Sequence, residues 1–308
     1  MPNLEQVRVV DPILTTQARG YTNGQAAGIY LFPYTGVPKR AGKRLEFGKE
    51  SFQLYNSKRA PGAATKRVNF GYEGEKFSLE QSSLEGQVPR EHLEEAPGID
   101  MAGSAVRVVQ GSISLEQEVD QATKARDAAN YDANHKVALA GTSRWNDPDS
   151  DPKAIVKAGK AAIRLSAGRD PNTMVLGPKV FDALDDHPKL LEKLKYTSSD
   201  SLTEAMLAKY FGVDRVVVGK MVYWDPVAGI FVEVWGRDAV LAWVPPAGES
   251  NWMVPSFGYT YRLNGMPVVE QTYYDNNAKS WIYPYTDEWS AEMVGADAGF
   301  LIQTVVDE

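Results

Sequence analysis

RLEFGKESFQLYNSKRAPGAATKRVNFGYEGEKFSL, residues 44–79, is the stretch on which the fold turns. Leu45, Phe47, Phe52, Leu54 and Tyr55 lie on its outgoing side, and Val68, Phe70, Tyr72, Phe77 and Leu79 on its return, with Pro61-Gly62 between them. Apolar and aromatic runs on both sides of a Pro-Gly pair predict a long β-hairpin. Arms of about eleven residues at ~3.3 Å per residue reach roughly 35 Å, more than a loop closing one compact domain needs. A two-stranded ribbon has no third layer on which to bury its apolar face, so it calls for a partner surface such as a neighbouring subunit.

Charge separates this limb from the rest. Between Gly36 and Lys76 stand ten Lys or Arg against four Glu, about +6 within a chain whose net charge is −7, which leaves about −13 for the remainder. Complementary potentials of this kind steer encounter and fix register, so the basic limb of one copy is suited to the acidic body of another. Contact with nucleic-acid phosphates is the competing use, with Phe52, Tyr55, Phe70 and Tyr72 as stacking platforms. Their strand-like alternation and the acidity of the whole chain favour sheet packing instead.

The chain has 308 residues, 43% hydrophobic and 24% charged, as expected of a folded globular protein. It contains no cysteine, which excludes disulfides, Cys-ligated metals and a cysteine nucleophile. Met1 to Gln6 lack the basic start and apolar core of a signal peptide, and no apolar run approaches ~20 residues, so folding in the cytosol and no membrane contact are expected.

Outward from the hairpin, residues 1–35 are broken by Asp11-Pro12, Gly20, Asn23-Gly24, Gly28 and Pro33, and read as an extended arm lying against other protein. Residues 88–98 predict a short acidic helical turn stopped by Pro97-Gly98. Leu115, Val119, Ala122, Ala125, Ala129, Ala133, Val137 and Ala140 recur at spacings of three and four, predicting a helix of some 26 residues that stops at Gly141. After Asp147-Pro148-Asp149-Ser150-Asp151-Pro152 comes a compact α/β region. Its helix stripe is Ile155, Ala158, Ala162 and Leu165, followed by a strand at 173–176, helices opened by Pro178 and Pro188, a capped helix from Ser201 to Gly212, and strands at 216–218, 222–224, 230–235 and 239–244. Residues 252–308 are aromatic and strand-like.

Little points to chemistry. Asp147, Asp149 and Asp151 are the only cluster with a metal-site look, but an EF-hand-type loop would need glycine where Pro152 stands and glutamate where Ala158 stands. They are better placed as a turn leading into a helix. His92, His135 and His187 are far apart in sequence and read as surface or helix-face residues. No phosphate-binding glycine loop or nucleophile elbow is present. No cofactor, metal or catalytic residue is therefore assigned, and an enzyme working through carboxylates alone is left without support.

The order of arm, basic hairpin, acidic turn, Ala-rich helix, α/β region and returning strands resembles the Hong Kong 97-type fold of tailed-phage major capsid proteins. One branch is resembled in Leu84-Glu85-Gly86-Gln87-Val88-Pro89, Gly141-Thr142-Ser143-Arg144-Trp145-Asn146-Asp147-Pro148, Pro171-Asn172-Thr173-Met174-Val175-Leu176-Gly177-Pro178, Phe211-Gly212-Val213, Pro255-Ser256-Phe257-Gly258-Tyr259-Thr260 and Ala298-Gly299-Phe300-Leu301-Ile302. The resemblance implies an α+β chain divided into an N-terminal arm (1–35), an extended hairpin loop (36–80), a peripheral domain with a long spine helix (81–147 and 250–308) and an α/β axial domain (148–249). It implies a virion shell assembled in the bacterial cytoplasm as pentamers and hexamers around double-stranded DNA that is contacted non-specifically. A portal, and scaffolding by a separate protein or none, are the implied partners. On the hairpin, Phe52, Lys58, Arg59, Lys66, Arg67, Phe70 and Tyr72 are the expected subunit-interface residues. A Lys to Asn crosslink, known in some relatives, is conceivable at Lys58, Lys66 and Asn69 and is assigned to none of them. An encapsulin-like compartment shell is the alternative on the same fold.

Overall fold

The computed structural model describes residues 11–20, 24–43, 58–59, 76–95, 98–194, 202–246 and 254–307. Two sheets organise the chain. In the larger one, β14 (Ser280–Met293) is the common partner: β4 (Glu80–Pro89) runs antiparallel to it from Ser280↔Pro89 to Trp289↔Glu80. β11 (Gly258–Leu263), β12 (Val268–Val269) and β13 (Tyr273–Asp275) also pair with it, and β1 (Tyr34–Val37) joins β11 in parallel. The smaller sheet has the order β5 (Lys136–Ala138), β15 (Gly299–Gln303), β10 (Ala239–Ala242), β6 (Thr173–Leu176), β7 (Arg215–Val218). Its central strands, Thr-Met-Val-Leu and Ala-Val-Leu-Ala, are buried along their whole length, as uninterrupted apolar runs must be. Two ribbons stand apart, β2 (Ala41–Lys43) with β3 (Lys76–Ser78), and β8 (Val222–Asp225) with β9 (Ile230–Glu233).

Helices α4 (Pro152–Ala167), α5 (Pro178–Asp185), α6 (Pro188–Leu194) and α7 (Glu204–Phe211) cover one face of the smaller sheet around Trp145, Ile163, Leu176, Leu184 and Leu241. Its other face shares a core with the larger sheet through Phe32, Ala122, Ala125, Trp235, Phe257 and Trp289. The hydrophobic core is thus continuous between the two sheets.

The long helix is 26 residues as expected, but its position differs. It is α3 (Met101–Arg126), some fourteen residues before the predicted span, and Lys136–Ala138 is a strand. Asp100 caps it by accepting from Gly103 N at 2.8 Å, and Asp127 ends it in extended backbone. Its buried face carries Val106, Val109, Gln110, Ile113, Gln117, Glu118 and Gln121 before Ala122 and Ala125. Polar residues on that face broke the apolar period, while alanines beyond Asp127 extended it falsely.

Three further expectations are corrected. The arm is not wholly extended: α1 (Pro12–Gly20) is a helix, with Pro12 opening it and Asp11 Oδ1 accepting from Leu14 N at 3.0 Å. β4, for which the sequence reading predicts no strand, is a ten-residue strand whose outward side chains hide its periodicity. On α4 the inward face is Pro152, Val156, Gly159 and Ile163, one residue off the expected stripe, and Leu165 is 89% exposed. The acidic turn at 90–95 is a helix, α2 (Arg90–Glu95).

α3 lies close against β4 because Gly86 has no side chain: a Cβ there would sit 3.0 Å from both the Cβ and the backbone oxygen of Ala105. Gly86→Val should therefore force helix and strand apart at a cost of about 1–3 kcal/mol, lowering the Tm by several degrees in a thermal melt. An unchanged Tm would show that the crossing tolerates a side chain.

Candidate assembly surface and the seat of the N-terminal arm

The two strands that bracket the predicted hairpin are paired and held to the larger sheet. β2 and β3 pair antiparallel at Ala41↔Ser78, Gly42↔Phe77 and Lys43↔Lys76, and Leu79 N donates to Arg40 O at 2.7 Å. Phe77 stacks on Tyr261 with ring centroids 4.5 Å apart and planes 8° from parallel, which only glycine at position 42 permits, since a Cβ there would fall 2.8 Å from the Phe77 ring. Arg40 grips Glu288 through two bonds, Nε to Oε2 at 2.6 Å and Nη2 to Oε1 at 2.8 Å. The Glu288 side chain is almost fully buried, so this bidentate pair is partly shielded from solvent. Of the expected interface residues, Lys58 and Arg59 are exposed. Phe52, Lys66, Arg67, Phe70 and Tyr72 lie outside the described residues.

The arm is seated on α3 by groups that sequence reasoning passed over. Glu118 is buried, and its Oε1 accepts from Ala27 N (2.8 Å), Gly28 N (3.0 Å) and Trp235 Nε1 (2.6 Å), while Oε2 accepts from Gly28 N (2.9 Å). One carboxylate thereby joins the arm, the long helix and the segment after β9. Burial raises its pKa, against the opposing pull of the bonds from Trp235, Ala27 and Gly28. Gln110 Nε2 donates to Ala18 O at 2.9 Å, and Tyr34 OH donates to Gln117 Oε1 at 2.5 Å. Thr15 exchanges hydrogen bonds with Val269, and Asp11 N donates to Val269 O. Nearby, Arg262 pairs with buried Asp287 at 2.9 Å and lies 3.9 Å over the Tyr34 ring. Burial also raises the Asp287 pKa, with Arg262 opposing. The sequence signal for this seat was the run of Gln and Glu on the buried side of α3.

Two histidines predicted at the surface are buried. His187 places Nε2 3.1 Å from Ser150 Oγ, and its Nδ1 accepts from Lys189 N at 3.2 Å; burial lowers its pKa. His135 has Nδ1 2.8 Å from Asp132 Oδ1 and Nε2 2.8 Å from Ser166 Oγ. Hydroxyl, imidazole and carboxylate in that order suit an activated nucleophile. Yet the atoms around Ser166 Oγ are the carbonyl oxygens of Asp297 (2.8 Å), Ala162 (3.0 Å) and Ile163 (3.2 Å), acceptors where an oxyanion would need donors. The cluster is built to clasp three segments. Asp297 stands beside Asp132 and His135, but both imidazole nitrogens are already engaged. Asp147 and Asp151 accept from Asp149 N and Ala154 N, making the turn that leads into α4.

Exposed apolar side chains gather on the β8–β9 ribbon. Trp224 and Phe231, 52% and 70% exposed, meet edge to face at 5.0 Å, beside Val222, Val227 and Ile230. No helix among the described residues is long and apolar enough to cross a membrane.

The sequence pattern of the family described as phage major capsid protein E matches residues 101–282. The chain is 37% identical, over 99% of both chains, to the major capsid protein of Burkholderia phage BcepMu. It is similar to the crystal structure of a phage-related protein from Bordetella bronchiseptica RB50, with 44% identity, a TM-score of 0.86 and coverage of 97% of this chain and 98% of that one. The mature capsid of bacteriophage PhiM1 shares the fold at TM-score 0.52 and 15% identity, over 92% and 88% of the two chains. An encapsulin from Synechococcus elongatus PCC 7942 does so at TM-score 0.55 and 11% identity, over 96% of each.

Because α3's carboxylate collects donors from two other segments, Glu118→Ala should leave Ala27 N, Gly28 N and Trp235 Nε1 buried without an acceptor, at a cost of about 3–5 kcal/mol. Hydrogen exchange should show residues 24–32 opening first; unchanged protection there would remove Glu118 from the seat. The raised pKa of Glu118 also fixes a sign. The folded chain holds that proton to higher pH than the unfolded chain, so the stability it contributes is fullest below the ordinary carboxylate range and declines as pH rises through the native value. In urea melts across the acidic range, Glu118→Gln should flatten that decline, whatever it does to absolute stability.

Proposed function

That the chain belongs to the phage major capsid protein family is the premise from which we propose how a single copy completes itself by joining others. The protein is a major capsid protein of a phage, of α+β Hong Kong 97-type fold, and self-assembles into the virion shell. Low identity to the encapsulin extends to the fold alone, so the phage shell is the better supported of the two readings.

In this proposal the shell is icosahedral, built of pentamers and hexamers, and encloses double-stranded DNA that the acidic chain touches without sequence preference. Assembly takes place in the host cytoplasm with a portal and, where one is used, a separate scaffolding protein. The chain works physically and performs no catalysis. Residues 1–35 serve as arm, 36–80 as extended loop, 81–147 with 250–308 as peripheral domain and 148–249 as axial domain.

The observation that carries the mechanism is the anchored root of the hairpin, held by Arg40 to Glu288 and by Phe77 on Tyr261. A limb fixed at its base and carrying Lys58 and Arg59 at the surface is positioned to reach the acidic body of a neighbour, with Phe52, Lys66, Arg67, Phe70 and Tyr72 completing the contact. The exposed Trp224 and Phe231 offer a further apolar surface of the kind assembly covers, at roughly 25 cal/mol per Å².

Deleting residues 56–68 should leave a soluble chain that fails to close stable shells in electron micrographs; particles of normal size and stability would overturn this reading. A gentler test reverses charge. Lys58→Glu with Arg59→Glu should depress shell yield more at ~50 mM than at ~500 mM salt, because screening weakens the contact that is being reversed.

A further inference from the structure

Between α1, α3 and the larger sheet lies a cavity of about 240 Å³. Ala18, Ala26 and Ile29 of the arm form part of its wall, with Gln117, Arg262 and Asp287 among the polar residues facing them. Two donors here lack a partner among the described residues. Gln117 is 5% exposed, and its Nε2 is buried without a hydrogen bond although its Oε1 is held by Tyr34. Arg262 Nε is in the same condition, although Nη2 is paired with Asp287. Leaving a buried donor unsatisfied costs about 1–3 kcal/mol, and two in one chamber point to something that accepts from both.

The charges on the walls select among acceptors. One cation, Arg262, stands against two carboxyl groups, Glu118 and Asp287, so an anion entering the chamber meets no net positive potential. A metal ion fares no better, because the oxygens of Glu118 are filled by backbone and indole N–H groups and Asp287 accepts from Arg262 and from Glu288 N. What fits is a neutral molecule that both accepts and donates, in a space that at roughly 30 Å³ per molecule admits on the order of eight waters.

We propose that this chamber is an internal hydration site, a cluster of ordered waters anchored on Gln117 Nε2 and Arg262 Nε that makes the arm's seat a wet joint. The consequence follows from what the arm has beneath it. A dry core loses apolar contacts as soon as its cover lifts, whereas a hydrated seat exchanges one set of water hydrogen bonds for another. The face of the arm formed by Ala18, Ala26 and Ile29 therefore rests on water, while Leu31 and Phe32 beyond it are buried in the core. This holds for the isolated chain and for the assembled particle alike, and does not depend on the capsid reading.

A crystal structure of the isolated chain, or a map of the assembled shell, at a resolution that shows waters is the test. Density peaks should stand about 2.7–3.2 Å from both Gln117 Nε2 and Arg262 Nε. In Gln117→Met, which keeps the length and removes the donor, the peak bridging to Arg262 should disappear as well. Three outcomes would overturn the proposal: a chamber without density, a rearrangement in which the two nitrogens find protein acceptors, or an ion in place of water. Should Gln117→Met fail to assemble, the parent map alone decides.

Discussion

Glu118 is the interaction on which the rest of the structure depends. It is a charge-bearing group in the interior, tolerable only because N–H donors from Ala27, Gly28 and Trp235 converge on it. Those donors come from the arm and from the segment between β9 and β10, so one side chain on α3 fixes the mutual placement of elements ninety and more residues apart. Trp235 in turn belongs to the core shared by the two sheets, and Gly28 needs the absence of a side chain because a Cβ there would collide with Gln121. Remove the carboxylate and the arm, the long helix and the smaller sheet lose their common reference point.

The same polar face explains what could and could not be read from the sequence. The inner strands of the smaller sheet are legible because their apolar runs are uninterrupted, as at Thr173–Leu176 before Gly177-Pro178, whereas the edge strand β5 is not, since Val137 falls on the apparent helix stripe. The length of the long helix was legible, but its position was not, since Gln110, Gln117, Glu118 and Gln121 occupy the inward face and read as solvent-facing. β4 escaped for the opposite reason: it is held by a full ladder to β14 while most of its side chains face out, so pairing rather than burial defines it. α1 was hidden by its breakers, yet Asp11-Pro12 is a helix opening when tertiary contacts to Val269 and α3 are available.

The candidate site divides along the same line. The sequence reading of residues 36–80 as a hairpin rests on length, the Pro-Gly pair and charge; of it, the described residues contain the root, where β2 and β3 pair antiparallel. That the root is clamped by Arg40 on Glu288 was not legible, because the two lie 248 residues apart and neither has a local motif. The histidines show the limit of composition-based reasoning: His135 and His187 are buried through hydrogen bonds to Ser166 and Ser150, which no periodicity announces.

The segment of residues 11–35 and the root formed by β2 and β3 are attached by different physics. The limb's root is held by an aromatic stack and a bidentate ion pair whose carboxylate is shielded from solvent, interactions that weaken little when neighbours come and go. The arm's seat relies on buried hydrogen bonds to single side chains, with Gln110, Glu118 and Thr15 each carrying a share. Such bonds are directional, so the arm has one registered position. The root ties residues 40–43 and 76–79 to β11 through Tyr261 and to β14 through Glu288, while Leu31 and Phe32 tie the arm into the core that the two sheets share. The two attachments meet on β11, whose alternating side chains keep them on opposite sides: Tyr261 under Phe77, and Arg262 over Tyr34.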